Sequence, residues 1–379
     1  MTETRFDRGA AALALEQWVK QGCSGSPLLY GRSDFWPTSR WSNLSPGLWL
    51  KREDELSFTL SGPKYRKFCG MAAAFDAHDS ILAVGSARSA FLLGLAQLCR
   101  ETQMPLELIL LRSTPYQDFG TDVLYDIAFA DLPVHWLTRE QWPEAKAMAL
   151  ELAAARSRRE SDDNAPRGPG TGETGRSPSP MEPALRQRSL GPLVLAEGGA
   201  GPEALAGALT LPLDIAEQMT RLQIAPEEIW IDAGSGFTAQ ALILGLGTLL
   251  RHPPTVHVVL CAGDDQSFAQ DLSLRQGEAR AALGIAWQPA SYRTHRPSTA
   301  RAYGATNRQV WDKVAQFHRQ KGILLDPLYT AKLMLTFEAF RAAHPASTPK
   351  STLLIHSGGG LNNFGFRDGL RGTARDEAR

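Results

Sequence analysis

Short apolar runs that end in small or turn-forming residues alternate along this chain with longer stretches whose apolar positions recur at helical spacing. SILAVG (80–85), LELILL (106–111), PVHWL (133–137), PLVLAEGG (192–199), EIWIDAGSG (228–236), TVHVVLCAG (255–263) and TLLIHSGGG (352–360) have strand lengths and turn-like ends. Between them, FCGMAAAFDA, AFLLGLAQLCRETQ, PEAKAMALELAAARS, TAQALILGLGTLLR and YTAKLMLTFEAFRAAH read as helices. Strand, glycine turn, helix and strand in repetition predict an α/β protein with parallel sheets covered on both faces. Ligands of such sheets sit at the carboxyl ends of the strands.

One segment breaks the alternation. Residues 156–191 begin RSRRESDDNAPRGPGTGETGRSPSP, are rich in Arg, Gly, Pro and Ser, and contain too few apolar residues to build a core. The pattern predicts a disordered insertion after a helix ending near Ala155.

Composition then narrows the class. The 379 residues, 43% of them apolar, suffice for two domains with real cores. Forty basic residues balance forty acidic ones, so no broad field exists to hold nucleic acid or an anionic membrane. Cys23, Cys69, Cys99 and Cys261 are scattered without framework spacing, which points to free thiols in the core and a reducing compartment. No apolar run reaches the length of a membrane span, and the N-terminus lacks a signal-peptide core. A cytoplasmic protein is expected.

Two stretches invite chemistry. In SGPKYRK (61–67) three cations open a helix, although a helix N-terminus disfavours positive charge, so Lys64 reads either as surface charge or as an amine kept for function. In IDAGSGFTAQA an apolar strand runs through Gly234, Ser235, Gly236, Phe237 and Thr238 into a helix. Backbone amides there could cradle a phosphate, a plain helix cap has the same letters, and G-x-G-x-x-A also fits a dinucleotide fingerprint with Asp264 or Asp265 as the ribose acid. The eight histidines show no H-E-x-x-H and no ligand spacing, so no metal site is expected. His356 beside Ser357 lacks an evident acid for a hydrolase triad.

Taken in order, KRED (51–54), SGPKYRK, GSGFT, GILLDPLYTAK (322–332) and LIHSGGG (354–360) resemble the D-cysteine desulfhydrase and 1-aminocyclopropane-1-carboxylate deaminase family, over roughly residues 45–365. That resemblance implies the tryptophan-synthase-beta-like fold, with two open parallel-sheet α/β domains of three αβα layers. The large domain would comprise residues 1–67 and 192–379 and the small one residues 68–155. It implies pyridoxal 5'-phosphate as cofactor, a small amino-acid substrate and a homodimer. Lys64 falls on the lysine that bonds the cofactor aldehyde and returns as a base. Gly234, Ser235, Gly236, Phe237 and Thr238 fall on the phosphate loop, Tyr329 on the tyrosine facing the cofactor, and Ser89 on a substrate contact.

Thr330 and Ser357 fall on the positions that distinguish the two activities near the ring nitrogen. Hydroxyls at both match the desulfhydrases and imply a mild electron sink, suited to β-elimination with release of ammonia and a keto acid. The chain also departs from the family. Pro63 stands for its asparagine, Ala90 and Phe91 stand for an asparagine and a histidine, and Gly198-Gly199-Ala200-Gly201 replaces G-G-S-N. Arg88 would then clamp the substrate carboxylate. An altered substrate is one expectation. The alternatives are ring opening of the deaminase type, cofactor binding without family catalysis, and a nicotinamide-dependent oxidoreductase, which leaves Lys64 unexplained.

Overall fold

The computed structural model describes residues 9–24, 36–57, 62–75, 77–112, 122–163, 190–345, 349–366 and 369. Its first part comprises α1 (Ala10–Cys23), the strands β1 (Trp41–Ser45) and β2 (Leu48–Arg52), and α2 (Pro63–Phe75). There follow β3 (Ile81–Ser86), α3 (Ala90–Glu101), β4 (Leu106–Leu111), α4 (Asp122–Phe129), β5 (Val134–Leu137), α5 (Ala145–Asp163) and β6 (Leu193–Leu195). The last part holds α6 (Leu205–Leu222), β7 (Glu228–Ala233), α7 (Phe237–Leu249), β8 (Thr255–Leu260) and α8 (Asp265–Leu283). It closes with β9 (Tyr292–His295), α9 (Arg308–Lys321), α10 (Thr330–Ala343) and β10 (Thr352–His356).

Two sheets result, with strand orders β1-β2-β10-β7-β8-β9 and β5-β4-β3-β6. All pairings are parallel except β1 with β2, an antiparallel hairpin closed by Pro46-Gly47. The inner strands β10, β7 and β8 of the six-stranded sheet are buried on both faces, which is why they read as continuous apolar runs. Ile229, Ile231, Leu353 and Ile355 join the core shared with α1, α2, α6 and α7, whereas Trp230 and Leu354 face the core under α9 and α10. In the small sheet Ile81 and Leu108 pack toward α3, and Leu82, Val84 and Ile109 toward α5.

Several features differ from the sequence reading, among them the following. The hairpin β1–β2 and strand β9 were not foreseen. β6, expected in the large domain, pairs with β3 in the small sheet, so the chain returns to the large sheet only beyond residue 195. α5 continues to Asp163 rather than stopping near Ala155. Residues 164–189 of the expected insertion lie outside the described residues. Among the described residues no helix is long and apolar enough to cross a membrane. All four cysteines are buried with free thiols.

α2 links the sheets and carries Lys64 near its start. It packs against α6 almost backbone to backbone: a Cβ on Gly207 would meet the Arg66 carbonyl oxygen at 2.1 Å, and one on Gly70 would meet the Gly207 nitrogen at 2.6 Å. Polar groups lock the same helix from the side. Arg66 donates through Nε and Nη2 to Glu53 (2.6 and 2.7 Å) and through Nη2 to Asp214 (2.6 Å). Lys51 donates to Asp214 at 2.6 Å, and Ser39 to Glu53 at 2.6 Å. The two cations and two carboxylates are all fully buried. Burial alone would raise Glu53 and Asp214, but Arg66 and Lys51 hold both carboxyls below the usual range. Lys51 and Glu53 of KRED and Arg66 of SGPKYRK therefore form one cluster that holds the helix carrying Lys64.

Candidate active site

The carboxyl ends of β7 and β10 and the start of α2 converge on one spot. Gly62 has φ +67°, and a Cβ there would lie 2.0 Å from the Ser357 carbonyl oxygen, so only glycine lets the chain enter α2 against the end of β10. Pro63 occupies the first helical turn, where its missing N–H costs nothing. Lys64 follows. Burial lowers its pKa, and the carboxylates of Asp232 and Asp326 oppose that fall.

Gly236 caps α7 in the left-handed region at φ +80° without any side-chain hydrogen bond, leaving the first amides of α7 without a side-chain partner. Gly234 lies against Tyr329, whose ring would be 3.2 Å from a Cβ at that position. Lys67, one turn after Lys64, donates to the Gly198 carbonyl and stands 5.6 Å from the centre of the Phe237 ring and 5.4 Å from that of Phe91. Burial and then the neighbouring Lys64 depress Lys67 to about 7. Phe91 stacks on Phe68 with ring centres 5.2 Å apart and walls this side of the cleft.

Four of the predicted side chains with hydroxyl groups have distinct surroundings. Tyr329 is the N-cap residue of α10, its phenol is 3.3 Å from that of Tyr303, and burial raises its pKa well above the ordinary value. Ser89 caps α3 by accepting from the Leu92 amide at 3.4 Å. The Thr330 hydroxyl donates to Asp326 Oδ2 at 2.8 Å and accepts from the Asp326 amide at 2.7 Å. These bonds tie it into the cap of α10. Ser357 donates to Asp232 Oδ2 at 2.8 Å. Arg88, three residues before Phe91, accepts from Tyr125 through its carbonyl at 2.9 Å.

Asp232, Asp326 and Lys67 were given no role by the sequence reading. Asp326 accepts from the amides of Leu328, Tyr329 and Thr330, orienting the start of α10. The available signal for Asp232 was a carboxylate inside an apolar strand, one residue before its end. Burial and then repulsion from Asp326 raise it to about 7, against the opposing pull of Ser357 and Lys64. A carboxyl raised in the folded state favours folding below its unfolded pKa, and that contribution fades as pH rises through about 7. Asp232→Asn is expected to raise Tm at pH 8 by relieving this cost, which amounts to about 1.4 kcal/mol for every tenfold change in the acidity of the carboxyl. Near pH 4 the substitution should leave Tm unchanged. An equal effect at both pH values would contradict it.

No protein-family model matches the chain. It is 26% identical over 188 residues to D-cysteine desulfhydrase of Yersinia enterocolitica, covering 48% of this chain and 54% of that protein. It is 24% identical over 186 residues to a Pyrococcus furiosus protein provisionally named 1-aminocyclopropane-1-carboxylate deaminase, covering 48% of this chain and 55% of that one. The chain thus spans about half the length of the curated relatives it matches. A solved structure described as an ACC deaminase homologue superposes with a TM-score of 0.66 at 20% identity, over 91% of this chain and 98% of the other. Threonine deaminase isoform 2 of Solanum lycopersicum superposes with a TM-score of 0.53 at 13% identity, over 98% and 96% of the two chains. The two parallel-sheet domains thus have the fold of the fold-type II pyridoxal-phosphate enzymes, and over about half of its length the chain is similar, at low identity, to proteins of the D-cysteine desulfhydrase and 1-aminocyclopropane-1-carboxylate deaminase family.

Proposed function

We propose that the chain is a pyridoxal-phosphate-dependent lyase that removes the α-proton and a β-substituent from a small amino acid, releasing ammonia and a keto acid. The observation that carries the reading is a half-buried lysine of lowered pKa, close to two carboxylates and beside a glycine loop at a helix start. The donor set fits the cofactor. The uncapped amides of α7, with Thr238 and the Lys67 ammonium, supply charge and hydrogen bonds for a phosphate. Lys67, depressed to about 7 beside another cation, would regain its full charge next to such a dianion.

When bound, pyridoxal phosphate supplies an aldehyde for an amine and a ring that takes up the electron pair left by the departing α-proton. The chain's residues divide the remaining work. Lys64 is the covalent anchor, and after displacement by the substrate its lowered pKa makes the neutral amine available as the base. Tyr329 keeps its proton, so it acts as a donor to the leaving group or as a wall against the cofactor ring. Ser89 and Arg88 approach from the small domain and contact the substrate carboxylate, while Phe91 makes that side of the pocket apolar. Ser357 stands toward the ring nitrogen. Two such chains form the working dimer.

The testing experiment is the visible spectrum of the protein purified with pyridoxal phosphate, wild type against Lys64→Ala. A band of lysine-bound cofactor in wild type alone is the expected result. No band in either protein would sink the reading and return attention to nucleotides at the glycine loop.

A further inference from the structure

The end of β7 contains a carboxylate that the proposed chemistry has so far left idle. Asp232 is 8% exposed, and its Oδ1 is buried without a hydrogen-bond partner, while Oδ2 accepts from Ser357 at 2.8 Å. Groups acting on it are Lys64, which is attractive, and Asp326, which is repulsive; Cys261 lies nearby as a thiol whose burial keeps it protonated. A buried carboxylate short of partners is costly unless a positive charge comes close.

The hydroxyl between them has a defined direction. An ionised carboxylate only accepts hydrogen bonds, and a hydroxyl has one proton to give and two lone pairs. Because Ser357 gives its proton to Asp232, what it can offer to any third group is a lone pair. Thr330 is less free to do the same, since its hydroxyl donates to Asp326 Oδ2 and one of its two lone pairs already accepts from the Asp326 amide. A lone pair beside a pyridine nitrogen is repelled by that nitrogen's own lone pair and attracted by an N–H.

We propose that Asp232, acting through Ser357, is a positioning residue that keeps the cofactor's ring nitrogen protonated: Asp232 accepts the Ser357 proton, and Ser357 accepts the ring N–H. The inference rests on the function proposed above. It reverses the mild electron sink that two hydroxyls implied. A protonated ring draws electrons strongly, so the enzyme is suited to substrates whose bond to be broken has a poor leaving group, rather than to activated β-substituents alone. The pyridinium in turn supplies the cation that Asp232 lacks.

The test uses pyridoxal phosphate labelled with nitrogen-15 in the ring, bound to wild type, Asp232→Asn, Ser357→Ala and Thr330→Val. The readout is the nitrogen resonance, referenced to the free cofactor in acid and in alkali. Wild type is expected at the pyridinium position at pH 8, Asp232→Asn and Ser357→Ala displaced toward pyridine, and Thr330→Val unmoved. A wild-type signal at the pyridine position overturns the inference, as does a pyridinium signal that Asp232→Asn leaves in place or that only Thr330→Val shifts. Asparagine matches aspartate in shape, and a wild-type signal at the pyridine position overturns the inference even where a variant fails to fold. A visible band with a pyridine signal overturns this inference alone, whereas absence of any band overturns the cofactor reading and this inference with it.

Discussion

Asp214→Ala is expected to cost about 3–5 kcal/mol of stability, the usual penalty for removing one member of a buried ion cluster. Asp214 accepts from Lys51, Arg66 and Gln218, and all four side chains lie out of water. Deleting it leaves two buried cations with Glu53 as their remaining carboxylate. Urea unfolding followed by fluorescence would show a lowered midpoint at an unchanged slope. A loss under about 1 kcal/mol, the range of exposed pairs, would mean that the cluster is solvated. Glu55→Ala is the internal comparison, because its partner Arg40 is on the surface and its second partner Arg52 keeps Asp54, so it should change little. The cluster also sets the acid limit. Glu53 and Asp214 have depressed pKa values, so their stabilisation is complete above the unfolded carboxylate range and is lost as pH falls through their folded values. This is the opposite sign to Asp232, whose burden grows as pH rises.

Lys64→Ala is expected to lower turnover of a small amino-acid substrate by at least about 10²–10⁴-fold, the contribution of a positioned general base. Loss of the covalent anchor adds to that. An added small amine such as methylamine should restore part of the rate, because it supplies a base in the space the side chain leaves. The wild-type rate should rise with pH and level off below the ordinary lysine value of about 10.4, since burial lowers the Lys64 pKa. Turnover within a few fold of wild type in Lys64→Ala would remove Lys64 from the chemistry. Because Lys64 sits two residues before Arg66 on one helix, its thermal unfolding should be measured beside the rate. An unchanged Tm with a collapsed rate assigns the effect to the amine.

The parts of the fold legible in the sequence share a cause. β3, β4, β7, β8 and β10 are covered on both faces, so every position selects for apolarity and the runs stand out. β2 escaped notice because its inner positions include Lys51 and Arg52, whose charges are neutralised by residues far along the chain or just beyond the strand. The glycine loop and Lys64 stand out in the sequence because the chemistry proposed for them demands particular residue types in a particular order. Asp232 was not, since a single carboxylate in a strand has no meaning until its neighbours are known. Thr330 shows the converse: its identity was read from the sequence, but its hydroxyl is committed to Asp326 by the geometry of the α10 cap.

The sequence by itself determined the alternation of strands and helices, the lysine and glycine motifs and their order, because local periodicity and backbone permissiveness are written in neighbouring residues. Tertiary structure alone decided that β6 crosses to the small sheet, that Lys51, Glu53, Arg66 and Asp214 neutralise one another, and that Ser357 points its proton at Asp232. Those facts depend on distances between residues up to 163 positions apart. Hydrogen bonds and charges act over a few ångströms of space, whatever the separation along the chain.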